Sequence, residues 1–160
     1  MDVVVDTDIL STFSKLNKPR LLSRLFRKSR ILICPSVSAE IRTGAELGLL
    51  RLSYPPPFIP INLRVREKES SIEIRDAWKL GSGDSERLAV AKERKCLLLT
   101  NDRKVQKVAD SISIDYLNLP MVLRELWVYR VMTKVKVGRL VDEIEIKDRI
   151  VIKNKEVIFR

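Results

Sequence analysis

The sequence predicts an α/β domain in which a central parallel β-sheet is flanked by helices. Short runs rich in Val, Ile and Leu alternate along the chain with segments whose apolar residues recur at helical spacing. Such alternation is typical of right-handed β-α-β crossovers, which place their strands in parallel. The length of 160 residues fits one domain of this kind, because single cores take about 100 to 200 residues.

The first part of the chain alternates strands with helices. A buried strand is predicted over residues 1–5, and a helix follows over 9–16. Pro19 suits the first turn of a second helix, which has one apolar and one basic face. A second buried strand is predicted over residues 31–34, followed by a helix that Ser36 can cap.

The next part begins with an irregular connector over residues 53–60, because its four prolines disfavour any regular element. Periodicity and turn residues then predict further elements. These are a charged helix over 66–80, a helix from 84, a strand over 95–100, a helix to 109, a weaker strand over 112–116 and a helix over 120–132.

The carboxyl-terminal residues show a different pattern. Two apolar triplets, 150–152 and 157–159, flank a polar pair and predict a β-hairpin about a two-residue turn. We therefore expect a main domain over residues 1–132 and an extension with this hairpin over 133–160. An isolated hairpin is marginal in water, so we expect it to pack against its own domain, a second copy in a homodimer, or a partner protein.

The composition excludes several kinds of site. With no His, the chain has no His general base and no His-ligated zinc, and two Cys are too few for a four-cysteine zinc site. Cys34 and Cys96 fall on predicted buried strands and are expected to act as small apolar residues, with a disulfide between them as the alternative. No apolar run approaches the ~18 residues of a membrane span, so we expect a cytoplasmic protein that does not associate with membranes.

The charge of the chain favours a polyanionic partner. Its 31 basic and 21 acidic residues give a net charge of +10, and seven basic residues but no acidic one lie between Asp8 and Glu40. Basic side chains near phosphates release condensed counterions, which favours nucleic-acid binding. From this stretch we predict RNA contacts by Arg20, Arg24, Arg27 and Lys28. The alternative is a solvated basic helix face.

Acidic residues recur where the predicted strands end. Asp6 and Asp8 follow the first strand and Asp102 follows the third, while Asp84 opens a helix and Glu40 lies on the helix after the second strand. In open α/β sheets, ligands bind outside the carboxyl ends of the strands. Carboxylates gathered there would repel unless a divalent cation lay among them, and hard oxygen ligands favour Mg²⁺ or Mn²⁺. Taken singly, each residue could instead be a helix cap or a turn residue.

Four motifs, in this order, resemble those of a PIN domain. They are Val-Val-Asp-Thr-Asp-Ile-Leu at 4–10, Ile-Cys-Pro-Ser-Val-Ser-Ala-Glu-Ile at 33–41, Leu-Gly-Ser-Gly-Asp-Ser-Glu at 80–86 and Leu-Thr-Asn-Asp-Arg-Lys at 99–104. The resemblance covers about residues 1–132. Many PIN domains are metal-dependent ribonucleases, including toxins of bacterial and archaeal toxin–antitoxin pairs. The resemblance therefore implies RNA as the substrate and an antitoxin as a protein partner.

The resemblance also implies roles for individual residues. The family's acidic quartet matches Asp6, Glu40, Asp84 and Asp102. We expect Asp6, Asp84 and Asp102 to hold Mg²⁺ or Mn²⁺, and Glu40 to act through a water or to orient the nucleophile. Residues expected to support these ligands are Thr7, Asp8, Glu86 and Thr100.

Two other functions are compatible with the sequence. The Asp6-Thr7-Asp8 motif also occurs in haloacid-dehalogenase-like phosphatases, in which the first Asp is the nucleophile. The chain could also be a non-catalytic PIN protein that binds RNA through its basic surface. An RNA-cleavage assay with and without divalent cations separates these functions from a ribonuclease.

Overall fold

The computed structural model describes residues 1–48 and 57–160 and confirms the predicted α/β class. The strands are β1 (Val3–Val5), β2 (Ile31–Ile33), β3 (Phe58–Pro60), β4 (Leu97–Leu99) and β5 (Tyr116–Leu117). All pairings are parallel, and the strand order is β3-β2-β1-β4-β5.

Helices connect and flank these strands. They are α1 (Thr7–Lys15), α2 (Arg20–Leu25), α3 (Pro35–Glu46), α4 (Val65–Trp78), α5 (Ser82–Arg94), α6 (Arg103–Ser111), α7 (Leu119–Val128), α8 (Lys134–Lys147) and α9 (Lys155–Phe159). Within the described residues, none of the helices is long and apolar enough to cross a bilayer.

The central strand β1 fixes the position of the acidic residues. Val3 pairs with Ile31 of β2 on one side and with Leu97 of β4 on the other. All three residues of β1 are essentially inaccessible, as expected for a strand covered on both faces. Because the three strands run in parallel and in register, the segments that follow them emerge at the same edge of the sheet. We call this edge, with the first turns of the helices that begin there, the carboxyl edge.

Helix α5 carries two of the predicted site residues, Asp84 and Glu86, and a buried ion pair holds it against α4. Arg94 near the end of α5 donates from Nε to Oε1 of Glu67 at 2.5 Å and from Nη2 to Oε2 at 3.0 Å. The Glu67 side chain is only 1% exposed. This two-point contact lets the highly charged helix α4 pack closely against α5.

The expected carboxyl-terminal β-hairpin is wrong, because the structure places helices α8 and α9 in the extension. Asn154 has a left-handed φ of 57° and begins α9, where the sequence predicted a hairpin turn. Ile158 is completely buried, and Trp127 of α7 donates from Nε1 to its carbonyl oxygen at 2.6 Å. A short apolar triplet is compatible with either a strand or a helix, and here packing against α7 selects the helix. The extension therefore packs on its own chain.

Two further elements differ from the sequence prediction. Phe58–Pro60 forms strand β3 inside the expected connector, whereas residues 53–56 lie outside the described residues. A proline is tolerated in β3 because this strand lies at the end of the sheet order. The weak strand predicted over 112–116 is displaced to Tyr116–Leu117, since α6 extends to Ser111.

Both cysteines are buried and unbonded, so they do not form the disulfide considered as an alternative. Burial raises the pKa of the Cys34 thiol to about 12. At neutral pH this thiol is protonated, and it acts as a small apolar residue.

The contact of α9 with α7 gives a testable prediction. Replacing Ile158 by Ala should lower the free energy of unfolding by about 2–5 kcal/mol, because it removes a wholly buried side chain. Val151→Ala is the control, because Val151 is 78% exposed and should change stability by no more than about 0.5 kcal/mol. Urea denaturation measures both, and equal stability of the two variants would show that α9 does not pack on α7 in solution.

Candidate active site

Asp6 lies at the centre of the carboxyl edge. It directly follows β1, caps α1 and is only 3% exposed. The backbone amide of Ile9 donates to Oδ1 at 2.9 Å, and the amide of Asn101 donates to Oδ2 at 3.2 Å. The carboxylate therefore joins the turn after β1 to the turn after β4.

The charge of Asp6 is costly in this position. Burial raises the pKa of its carboxyl group to about 6, although the amide of Ile9 and the positive charge of Arg87 act in the opposite direction. The neighbouring charge of Asp8 raises the pKa further. At neutral pH the native state therefore holds a buried carboxylate that a bound cation would stabilise.

Asp102 is fixed beside Asp6 by the start of α6. Its Oδ1 accepts from the amides of Lys104 at 2.7 Å and Val105 at 3.1 Å, so the carboxylate caps the helix. The buried hydroxyl oxygen of Thr100 accepts from the Asp102 amide at 3.3 Å, and the same hydroxyl lowers the pKa of Asp6. Thr100 thus lies between the two acidic residues.

Asp84 pairs with an arginine that was not among the predicted site residues. Arg87, one turn later on α5, donates from Nη2 to Oδ1 of Asp84 at 2.5 Å. The Arg87 side chain is only 10% exposed, and its charge reaches Asp6. Its Nε and Nη1 atoms are buried without a hydrogen-bond partner among the described residues. The feature of the sequence that indicates Arg87 is its place next to Leu88 and Ala89, on the face of α5 that was predicted to point inward.

Gly83 leaves the space beside this guanidinium open. A Cβ atom at this position would lie 3.5 Å from Nη1 of Arg87 and 3.5 Å from Oγ of Ser36. The Ser36 hydroxyl is also buried without a hydrogen-bond partner among the described residues. Unsatisfied polar atoms are rare in native interiors, and here they lie beside the Asp84–Arg87 pair.

The remaining predicted residues lie at the same edge in different roles. Glu40 of α3 accepts a hydrogen bond from the Thr7 hydroxyl, which attaches it to the residue that follows Asp6. Oε2 of Glu86 accepts from the Ser36 amide at 3.0 Å, so Glu86 caps the start of α3. Asp8 is exposed at the start of α1. Hydrogen bonds thus connect Glu40 and Asp102 to the turns beside Asp6, whereas Asp84 is linked to Asp6 through the charge of Arg87.

The donor chemistry at this edge fits a hard divalent cation. All of the candidate ligands are carboxylates, and Asp84, Asp102 and Glu40 each keep one oxygen that is not hydrogen-bonded within the described residues. Across residues 1–48 and 57–160, however, no three acidic or cysteine side chains are close enough to form a metal-binding group. Arg87, rather than a second carboxylate, is the partner of Asp84. A common ligand would therefore require these side chains to move towards one another.

A cavity of about 290 Å³ adjoins the carboxyl edge at Asp8 and Asn101. The cavity is also lined by Asp148, which accepts from the Thr12 hydroxyl at 2.8 Å and pairs with Lys15 at 2.5 Å. The segment after α8 therefore borders the candidate site. Asp148 was not predicted to lie near the site from the sequence, because its contact with Thr12 spans more than a hundred residues of chain.

The four basic residues predicted to contact RNA lie away from these carboxylates. Arg20, Arg24, Arg27 and Lys28 line a separate groove of about 1110 Å³ between α2 and the end of α7. Asp6 and Asp102 do not line this groove. The predicted RNA contacts of these four residues would therefore be remote from the acidic site.

Comparisons with known proteins place this geometry in context. The family model described as DUF3368: PIN domain matches residues 2–156. A chain of the crystal structure of VapBC2 from Rickettsia felis bound to a DNA fragment from their promoter is 17% identical, with a TM-score of 0.55. That match covers 74% of this chain and 98% of the other. This structural similarity supports the same fold for the two chains.

A chain of a toxin–antitoxin complex from Klebsiella pneumoniae is 21% identical, with a TM-score of 0.47. The match covers 63% of this chain and 87% of that chain. No curated protein matches the sequence.

Proposed function

Because the chain belongs to the PIN-domain family, we propose that it is a metal-dependent endoribonuclease whose active site is the carboxyl edge of the sheet. The observation that carries the proposal is the buried carboxylate of Asp6, which backbone amides hold next to Asp102. A carboxylate buried at such a cost, and not paired with a lysine or arginine of the described residues at contact distance, is expected at a functional position rather than a structural one.

The proposed ligands of Mg²⁺ or Mn²⁺ are Asp6, Asp84 and Asp102, with Glu40 acting through a water molecule. When bound, the cation lowers the pKa of a water molecule and stabilises charge on the phosphoryl oxygens, so no histidine is required. Amides of the α1 and α6 N-termini hold Asp6 and Asp102 in place. The uncommitted oxygen of Glu40 is the proposed acceptor of a proton from the attacking water.

Thr7, Thr100, Asp8 and Glu86 support these groups in the proposal. The Thr7 hydroxyl holds Glu40, and Thr100 lies between Asp6 and Asp102. Glu86 fixes the start of α3 against α5 by accepting from the Ser36 amide. Asp8 adds negative charge close to Asp6, which favours a bound cation.

We further propose that the chain is the toxin of a toxin–antitoxin pair in the cytoplasm. The support is the PIN-domain match together with the fold shared with a chain of the VapBC2 structure. The antitoxin would be a separate protein, and RNA would be the substrate.

A non-catalytic PIN protein is the second candidate, and the Asp84–Arg87 pair favours it. If the guanidinium stays on Asp84, it neutralises that charge and leaves one carboxylate oxygen for a metal ion, which weakens metal binding. Membership of the PIN-domain family removes the other alternative, a haloacid-dehalogenase-like phosphatase.

The test is incubation of the purified chain with end-labelled single-stranded RNA in Mg²⁺, in Mn²⁺ and in EDTA. Endonucleolytic fragments that appear only with a divalent cation support the ribonuclease. Binding without cleavage in all three conditions would identify a non-catalytic RNA-binding protein, and fragments that persist in EDTA would contradict the metal dependence.

Arg87 gives a prediction for metal binding that does not depend on cleavage. Replacing Arg87 by Met should tighten Mn²⁺ binding several-fold, because it removes a nearby positive charge and frees Asp84. Isothermal titration calorimetry measures the affinity. Lys104→Met is the matched control, since Lys104 lies next to the same edge but donates to the carbonyl of Lys79 instead of a carboxylate. An equal or weaker affinity in Arg87→Met than in the control would show that Arg87 does not compete with the metal ion.

A further inference from the structure

The groove between α2 and the end of α7 has an apolar floor. The floor consists of partly buried side chains that pack against the core and come from the end of α2, from β4 and β5, and from the turn after α7. They are Leu25, Phe26, Leu97, Leu117 and Val131. The volume of about 1110 Å³ exceeds the range of roughly 300–1,000 Å³ that is usual for small-molecule pockets. The groove is therefore large enough for a segment of polypeptide.

The rim of this groove carries positive charge that the chain itself does not neutralise. Among the described residues, four exposed rim cations have no carboxylate partner: Arg20, Arg27, Lys28 and Arg130. A fifth, Arg24, donates from Nη2 to the carbonyl of Val131 at 3.1 Å and ties α2 to the turn after α7. Glu125, the acidic residue in the lining, is paired with Arg124 at 2.9 Å. The rim is thus strongly electropositive around an apolar floor.

We propose that this groove is a docking site for an acidic, amphipathic helical segment of a partner protein. Apolar side chains spaced along one face of such a helix fill the floor, and its flanking carboxylates pair with the rim cations. Exposed cations around an apolar surface give such a complex its specificity and fast association, while burial of the floor contributes the main part of the affinity.

The floor distinguishes this partner from RNA. Single-stranded nucleic acid binds to grooves that combine cations with aromatic side chains on which the bases stack. The lining has two aromatic side chains, Phe26 and the exposed Tyr129, but the floor is mainly aliphatic, and aliphatic side chains offer nothing to a phosphodiester backbone. Arg20, Arg24, Arg27 and Lys28 are thus better suited to carboxylates of a protein than to the RNA contacts predicted from the sequence.

A second copy of the chain is a poor occupant of the groove. The chain carries a net charge of +10, and a twofold contact through the groove would bring two electropositive rims together. The proposed docking site does not depend on the ribonuclease activity, because the groove contains none of the acidic residues of the carboxyl edge.

The experiment selects peptides of about 16 residues from a random display library on the full native chain, a length that allows four helical turns. Two variants with the same loss of charge are compared. In the groove variant, Arg20→Gln, Arg27→Gln and Lys28→Gln are combined, and in the control variant Lys136→Gln, Arg139→Gln and Lys153→Gln are combined. All six residues are exposed and without ion pairs among the described residues, so both variants should keep the native melting temperature.

The expected result is that selected peptides carry Asp or Glu together with apolar residues at helical spacing. Their affinity, measured by fluorescence anisotropy, should fall about tenfold or more in the groove variant and remain unchanged in the control. Peptides that bind both variants equally, or selection without an acidic bias, would overturn the proposal. A single-stranded RNA oligonucleotide that loses affinity in the groove variant alone would assign the groove to RNA, and a native dimer that the groove variant dissociates would assign it to a second copy.

Discussion

Asp102→Asn should lower the rate of RNA cleavage at least about 10- to 100-fold while leaving the fold intact, on the scale known for lost metal-site partners. Asn caps helices as well as Asp does, so the hydrogen bonds from the amides of Lys104 and Val105 can be kept. The substitution removes the negative charge and one potential metal ligand. Cleavage rates under single-turnover conditions with Mg²⁺, together with the melting temperature, measure the two parts of the prediction.

The matched control is Asp110→Asn, which makes the same change near the opposite end of α6. Asp110 is exposed and lies away from the carboxyl edge, so its variant should cleave RNA at the native rate. The control also reveals contaminating ribonuclease, since both variants are purified in the same way. Equal cleavage by the two variants, with both folded, would remove Asp102 from the active site.

The second large effect concerns stability. Without divalent cations, Asp6→Asn should be more stable than the native chain at a pH of about 7.5, by about 2 kcal/mol. In the folded state the pKa of Asp6 is raised to about 6, above its ordinary value of 3.8. The native state therefore binds the proton more tightly, and stability falls as the pH rises through the window between these values. Above this pH window, the buried charge of Asp6 lowers the free energy of unfolding by about 3 kcal/mol. The Asn variant recovers this amount except for the ~1 kcal/mol contributed by one hydrogen bond that it loses.

The advantage of Asp6→Asn should disappear near a pH of about 4, where Asp6 is protonated in the folded chain. Chemical denaturation across this range measures the difference. Asp142→Asn serves as the control, because Asp142 is exposed on α8 and its variant should follow the native curve. If Asp6→Asn were less stable than the native chain at neutral pH, Asp6 would be a structural carboxylate that needs its charge.

The sequence predicted the strands well where they are buried on both faces. β1, β2 and β4 are continuous apolar runs, and their parallel pairing followed from the helices between them. The position of Asp6 and Asp102 at one edge followed from the same topology, because Asp6 comes directly after β1 and Asp102 lies in the short turn after the adjacent strand β4. Their proposed roles as metal ligands remain predictions.

Tertiary contacts determined the features that the sequence did not predict. The apolar residues of α9 are too few to separate a helix from a strand, and Trp127 of α7 is the contact that selects the helix. Arg87 has no special spacing, and its importance depends on the burial of α5 against the sheet. Arg20, Arg24, Arg27 and Lys28 follow α1 in sequence but belong to the segment that leads back into β2, which places them away from the carboxylates. Charge counting alone does not reveal this separation.

The central claim is that Asp6, Asp84 and Asp102, with Glu40, bind one divalent cation. The direct measurement is the melting temperature of the native chain and of Asp6→Asn as MnCl₂ is added, with the ionic strength held constant by NaCl. The native chain should be stabilised progressively, by about 2.7 kcal/mol at a hundredfold excess of Mn²⁺ over its Kd, and Asp6→Asn should lose most of this increase. An equal increase in both proteins, or none in the native chain, would contradict a metal centre at the carboxyl edge.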